Sequence, residues 1–411
     1  MASGDGIRLS VVVMHHPKRR DALPALLAAC EPLPVRVVTD PDPDGPPSPL
    51  RTAKRAWAAV AEGATHHVVL QDDAVPVRGF ADQLTRAIAA RPHDGVTLSV
   101  QQTSPRNSYA VRRAALAGQA WAPMSVVEWT STLGLALPAA DALALAAYFA
   151  ELPDELLEDD DFVTPFCVGR GRRVFATVPN LVEHAGLPSL SGYEAEGHRP
   201  VTVYDPRWSI PAGHWADPAR RPAPGLAEAG RGGAAVELRE SRCGLRFLLP
   251  GTEEPLEHPY VWDWHDWAAL LDLDADRVVA EWERAGGAAA RRGEPVGRVF
   301  ALAPCLSLEV WAAAFLLGAL LPAPTAAGPP GDTGFGELVR RRALESWIEM
   351  GLSAADRKAL TPEEVTALVD LALAGATAGR GTRDGNRNAV PNEVPNGERS
   401  PETGREAAHA G

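Results

Sequence analysis

Three short apolar runs, each closing on polar residues, constrain the fold most. Leu9 to Met14 (LSVVVM) leads into His15-His16. Val35 to Thr39 (VRVVT) leads into Asp40, and His67 to Leu70 leads into Gln71-Asp72-Asp73. Runs that are apolar at consecutive rather than alternate positions describe strands buried on both faces. Helical segments fall between them: Asp21 to Ala29, with Pro24 in its first turn, and Arg51 to Glu62, with Gly63 where a glycine stops a helix. Gly79 to Ala90 and Val96 to Val100 continue the alternation. The pattern predicts an α/β fold, a mostly parallel sheet with helices on both faces. Ligands of such sheets bind at the carboxyl ends of strands, so the polar run-ends should line one crevice.

Further along, Thr132 to Leu137 and Arg173 to Thr177 read as strands. Ala139 to Phe149 reads as a helix, Phe162 to Val168 as a helix or turn, and Pro179 to Ser191 as a loop. These elements make a first domain of residues 1–210. Residues 211–234, rich in Pro, Gly, Ala and Arg, read as a linker. Residues 235–375 read as a mainly helical module. It has a strand at Leu245 to Leu249 and helices at Asp274 to Arg284, Ser307 to Leu320, Phe335 to Met350 and Pro362 to Leu373. Thr361 caps the last of these, with Pro362 at its first position. Residues 376–411 hold almost no apolar side chains and are expected to be a disordered tail.

A formal net charge of -13 argues against a nucleic-acid partner, which calls for a basic face. The Ala, Gly, Pro and Arg bias suggests a GC-rich, bacterial genome. Cys30, Cys167, Cys243 and Cys305 form no C-x-x-C pair, which fits a reducing cytoplasmic setting. Met1 to Leu9 lacks the apolar core of a signal peptide. Val299 to Leu320 is apolar, but a cap at Ser307 leaves a helix of about 21 Å against the roughly 30 Å of a bilayer core. It therefore reads as a buried helix, with no membrane span. No P-loop, G-x-G-x-x-G after a strand, or G-x-S-x-G is present.

The order of strand, helix, strand ending in Asp40, helix and strand HHVVLQDDA resembles the nucleotide-sugar half of a GT-A fold glycosyltransferase. Its LQDDA is similar to the LEDDA-like motif of family 25 enzymes and to the acidic motif of family 2. The segment Val178-Pro179-Asn180-Leu181-Val182-Glu183-His184 is similar to the P-x-L-V-x-H stretch near the end of such domains. The resemblance covers roughly residues 7 to 190. It departs at Gln71, which stands at the first acidic position of a strict D-x-D.

The resemblance implies a hexosyltransferase-type enzyme that takes its sugar from a nucleotide-sugar donor. The acceptor would be a glycan, a small molecule or a protein. Asp73, with His184, would hold a divalent cation, Mn²⁺ or Mg²⁺; imidazole with carboxylates favours Mn²⁺. Asp72 would contact the ribose or share the metal. His15 lies along the nucleotide and Asp40 accepts from base or ribose, while Arg51 and Lys54 neutralise diphosphate. Asp160 or Asp161, in the run Glu158-Asp159-Asp160-Asp161, would deprotonate the acceptor in an inverting reaction. The same acids would equally cap a helix. Trp121 and Trp129 are candidates for acceptor stacking, with core packing as the alternative.

In the second module, Trp262 to Trp267 (WDWHDW) reads as the anchor of a domain interface. Asp272, Asp274, Asp276 and Glu283 have EF-hand spacing, but Arg277 replaces the required Gly, so Asp274 is expected to be a helix cap. Two other functions remain open: a non-catalytic GT-A-like binding or scaffold module, and a nucleotidyltransferase, whose Gly-rich basic loop HHPKRR lacks.

Overall fold

The computed structural model describes residues 6–190, 199–217, 222, 225, 234–249, 252–258, 262–321 and 334–387. Its first half forms around the three apolar runs. β1 (Leu9–His15) and α1 (Leu23–Cys30) are followed by β2 (Val35–Thr39), α2 (Pro49–Trp57) and β3 (His66–Gln71). β1 pairs in parallel with both β2 and β3, so the polar ends of all three strands lie side by side. The α2 helix starts earlier than its sequence suggests. Ser48 caps it by accepting from the Arg51 backbone N–H, and Pro49 takes the first turn. It also ends earlier, where His67 Nε2 bonds the Ala56 carbonyl at 3.0 Å.

After β3 come β4 (Ala74–Pro76), α3 (Phe80–Ala90), β5 (Gly95–Thr97), α4 (Pro105–Ala117) and β6 (Trp121–Pro123). The half closes with β7 (Gly134–Pro138), α5 (Ala139–Ala150), α6 (Asp160–Gly169), β8 (Val174–Thr177) and β9 (Val182–His184). The central sheet has seven strands in the order β2-β1-β3-β7-β5-β8-β6. β7 and β6 run against the other strands, so the sheet is mostly parallel. A separate pair joins β4 to β9, with Ala74 opposite His184.

Side chains of β1 and β3 alternate between two cores, as strand geometry requires. Val12, Met14 and Val69 pack with Trp57 of α2 and Phe149 of α5. Val11, Val13, Val68 and Leu70 pack with Leu26 of α1 and with Phe80, Leu84 and Ile88 of α3. Each such burial contributes about 1.5–3 kcal/mol. A strand buried on both faces cannot slip by one residue without exchanging its two cores. The fixed register is what holds Asp72 and Asp73 at the carboxyl end of β3, a strand inside the sheet.

The second half opens with a hairpin, β10 (Ala234–Arg239) and β11 (Arg242–Phe247). Its turn residues Glu240 and Ser241 both have positive φ, 49° and 61°, as a two-residue type I′ turn demands. Helices follow: α7 (Trp264–Trp267), α8 (Ala275–Arg292), α9 (Pro295–Leu302), α10 (Pro304–Ala319), α11 (Gly334–Gly351), α12 (Ala354–Ala359) and α13 (Pro362–Arg387). Asp274 caps α8 by accepting from the Asp276 N–H, so the EF-hand spacing is ordinary capping. Trp262 packs on Phe247 at 4.9 Å and on Trp267 at 4.9 Å, anchoring the hairpin within this half rather than a domain interface.

Three boundaries differ from expectation. The tail was placed from residue 376, yet α13 continues to Arg387. Its glycines are packing positions: a Cβ on Gly379 would sit 1.9 Å from the Phe315 carbonyl oxygen, and one on Gly318 of α10 would sit 2.1 Å from that of Ala376. Small residues here let two helix backbones touch, a composition easily mistaken for disorder. Residues 388–411 lie outside the described residues.

The 211–234 linker is packed at its start, where Trp215 is buried against Trp121 at 5.4 Å. Residues 218–221, 223–224 and 226–233 lie outside the described residues. The halves also share a core, since Val339 and Ala343 of α11 join the cluster built on β1 and β3. No single helix among the described residues is long and apolar enough to cross a membrane; α9 and α10 together pass by composition but bend by 117°. α10 itself is buried along most of its length.

Candidate functional site

The ends of β1, β2 and β3 open into a cleft of about 870 Å³, solvent at its mouth included. The Asp72-Asp73 pair lies at its floor, both residues buried. Asp72 is held on both oxygens. Oδ2 accepts from the His16 backbone N–H at 2.7 Å and lies 3.0 Å from His15 Nδ1. Oδ1 accepts from Arg19 Nη1 at 3.2 Å. The same Arg19 nitrogen lies 2.9 Å from Asp73 Oδ2, so one guanidinium bridges the two acids.

His184 lies far from Asp73 along the chain and reaches it because β9 pairs with β4, Ala74 opposite His184. Its Nδ1 lies 3.5 Å from Asp73 Oδ2, and its Nε2 lies 3.3 Å from Gln101 Nε2. Burial pushes the Asp73 carboxyl up, but His184 and Arg19 outweigh it and hold the group below the ordinary carboxylate range. Asp73 Oδ1 is buried and has no hydrogen-bond partner among the described residues. A buried carboxylate oxygen left open in this way is a candidate ligand atom.

Asp40 and Arg51 both line the cleft, but they face each other. Arg51 Nε and Nη2 bond the two Asp40 oxygens at 3.0 and 3.1 Å. Arg51 also donates to the carbonyls of Asp42 and Pro46, so it orders the Pro41 to Pro49 loop. Burial raises the Asp40 carboxyl and Arg51 more than reverses the effect. Lys18 and Arg199 complete the basic lining. Four cations therefore meet three carboxylates, a balance that suits an anionic ligand.

Several expected residues lie elsewhere. Lys54 is not at the cleft: its Nζ bonds the Leu152 carbonyl and Asp154 Oδ1, each at 2.5 Å, and so ties α2 to the α5–α6 connection. Trp121 is buried on the far edge strand, where Nε1 donates to the Trp215 carbonyl, so core packing explains it. Trp129 is half-buried and is absent from the cleft lining; its carbonyl accepts from Asn107 Nδ2. Asp160 and Asp161 open α6 and do not line the cleft either, and Asp161 is exposed.

The acidic run is nevertheless connected to the cleft. Gln71 Nε2 donates to Thr132 Oγ1 at 3.1 Å, and that hydroxyl donates to Asp159 Oδ1 at 3.0 Å. The departure from D-x-D thus has a local reason, because a donor is needed at position 71 to start this chain. Glu158, Asp159 and Asp160 each offer a carboxylate oxygen within 4.8 Å of the others. Burial pushes Asp159 up to about 6 and Asp160 up to about 8, with neighbouring acids adding to both.

Arg19, Gln101, Thr132 and Asp159 are the functional neighbours that sequence reasoning underrated. Only the basic run HHPKRR at a strand end pointed to Arg19; the others depend on contacts between distant positions. No protein-family model matches the chain, and no curated protein matches it either.

Proposed function

We propose that this chain is a GT-A-like glycosyltransferase of hexosyltransferase type. It moves a sugar from a nucleoside-diphosphate donor to a glycan, small-molecule or protein acceptor, assisted by Mn²⁺ or Mg²⁺. The observation that carries the reading is the cleft at the ends of β1, β2 and β3, where cations surround a paired carboxylate with one buried oxygen left open.

The residues present fit a divalent cation. Asp73 Oδ2 and His184 Nδ1 are 3.5 Å apart, close enough to serve one ion, and Asp73 Oδ1 has no hydrogen-bond partner among the described residues. Carboxylate plus imidazole suits Mn²⁺. Such an ion, once bound, stabilises the charge that develops on the leaving diphosphate. The chain's own residues do the rest. His15 and the His16 backbone fix Asp72 for a ribose hydroxyl. Asp40, oriented by Arg51, accepts from the base or ribose. The base of an inverting reaction is not supplied by Asp160 as the chain stands, because it lies outside the cleft lining and, pushed up to about 8, it holds its proton at neutral pH.

The test is a thermal-shift screen of nucleotide sugars with and without Mn²⁺, paired with donor hydrolysis, on the native chain and Asp73→Asn. A metal-dependent shift lost in the variant, with hydrolysis, supports the enzyme. Binding without hydrolysis supports a non-catalytic GT-A-like module instead. That second reading is favoured by Arg19, which already bridges both acids without any metal. No shift with any donor removes both readings.

A further inference from the structure

We propose that Arg19 is the cleft's own counter-ion and its diphosphate ligand. Before the donor binds, its guanidinium bridges Asp72 and Asp73 and offsets part of their charge; on binding, it passes to the diphosphate and leaves both acids free. This rests on the donor reading above.

The geometry of Arg19 is that of a cation held but not saturated. Nη1 is shared between Asp72 Oδ1 at 3.2 Å and Asp73 Oδ2 at 2.9 Å. Nη2 donates to the Pro188 carbonyl at 3.2 Å. Nε is buried and has no hydrogen-bond partner among the described residues. Guanidinium binds carboxylate or phosphate best through two parallel N–H bonds. Here neither carboxylate receives that fork, so a phosphate that accepts it offers the better match.

The other expected diphosphate cations are committed. Every nitrogen of Arg51 is already bonded, to Asp40 or to the carbonyls of Asp42 and Pro46. Lys54 is bound to the α5–α6 connection. Arg19 also stands on a short turn, Pro17–Arg19, whose flanking residues Lys18 and Arg20 are exposed. Its side chain can therefore change partners without disturbing either core.

The exchange explains why two buried acids can face an anionic ligand. Unscreened, Asp72 and Asp73 would repel a diphosphate. With Arg19 between ligand and acids, the cleft accepts the anion and exposes Asp73 to a divalent cation in the same event. Diphosphate and metal should then favour one another, since each removes the other's competitor.

The full chain, as wild type, Arg19→Gln and Arg19→Lys, is titrated with Mn²⁺ alone, following free Mn²⁺ by electron paramagnetic resonance. UDP and GDP are titrated separately in EDTA by calorimetry, and circular dichroism checks folding. Arg19→Gln should bind Mn²⁺ at least tenfold more tightly and bind the nucleoside diphosphate at least tenfold more weakly. Arg19→Lys should keep Mn²⁺ binding near wild type while still weakening the diphosphate, because a point charge lacks the fork. Changes of the same sign in both titrations, as a merely structural residue would give, overturn the proposal. So do two unchanged affinities. If the wild type binds neither UDP nor GDP, the donor reading and the transfer both fall, while the Mn²⁺ titration alone still decides whether Arg19 is the counter-ion.

Discussion

Asp72-Asp73 and Glu158-Asp159-Asp160 are two acidic clusters joined by a single chain of hydrogen bonds, and they carry charge in opposite ways. At the first, His15, Arg19 and His184 gather around the acids, and Asp73 stays ionised well below neutral pH. At the second, burial and mutual repulsion act with little compensation, and Asp160 keeps its proton up to about pH 8. Acid density alone therefore does not mark a site. What distinguishes the strand-end pair is that the fold brings partners to it, His15, Arg19 and His184, from three separate elements.

The largest expected effect comes from breaking the compensated cluster. Asp73→Asn keeps the shape but removes the charge that holds Arg19 and His184. If the donor reading holds, turnover should fall about 10³-fold, the scale of losing a group aimed at developing charge. Steady-state kinetics of donor hydrolysis at saturating Mn²⁺ is the measurement. A fall below threefold would show that Asp73 does not face the reacting centre.

The uncompensated cluster should respond through pH. The folded-state pKa of Asp160, about 8, lies well above the ordinary carboxylate value, so the folded chain holds this proton more tightly. Stability from that proton is fully present below about pH 4 and is lost as pH rises through about 8. Asp160→Asn cannot ionise and should remove the loss. Its stability should match wild type near pH 3 and exceed it by roughly 2–3 kcal/mol near pH 9, a discounted figure because the neighbouring acids titrate together. Urea unfolding across that range is the check, and parallel curves would refute it. Asp73 has the opposite sign: its depressed pKa gives stability present above the unfolded value and lost as pH falls through the folded one.

Much of the first cluster could be read along the chain, because β1, β2 and β3 are local runs whose apolar pattern and polar ends are both contiguous. Their observed bounds match the expected ones within a residue or two. The second cluster's behaviour could not be read, since it follows from how deeply the fold buries Asp159 and Asp160 beside one another. The α4 helix was also missed, although Ser104-Pro105 is a readable start, because Arg112 and Asn107 are polar residues buried inside the fold. Lys54 and Trp121 failed for a related reason. Residue type suggested a ligand, while the partner that claims each, Asp154 or Trp215, comes about a hundred positions later. The Gly-rich end of α13 failed because composition cannot tell a flexible glycine from one pressed against a neighbouring backbone.

The smallest effect tests the link between the clusters. Thr132 accepts from Gln71 and donates to Asp159, and its hydrogen bond pulls the Asp159 carboxyl down against burial. Thr132→Val preserves shape and removes both bonds. The expected loss is about 1–2 kcal/mol, the scale of a buried hydrogen bond to a charged group. It should be larger above pH 6 than below, because Asp159 ionises near 6 and needs the donor most when charged. Pairing the change with Asp159→Asn separates the bond from packing: if the hydroxyl acts on Asp159, the pH dependence disappears in the double variant. Were the dependence to survive there, Thr132 would act on some other group, and the two clusters would be neighbours without communication.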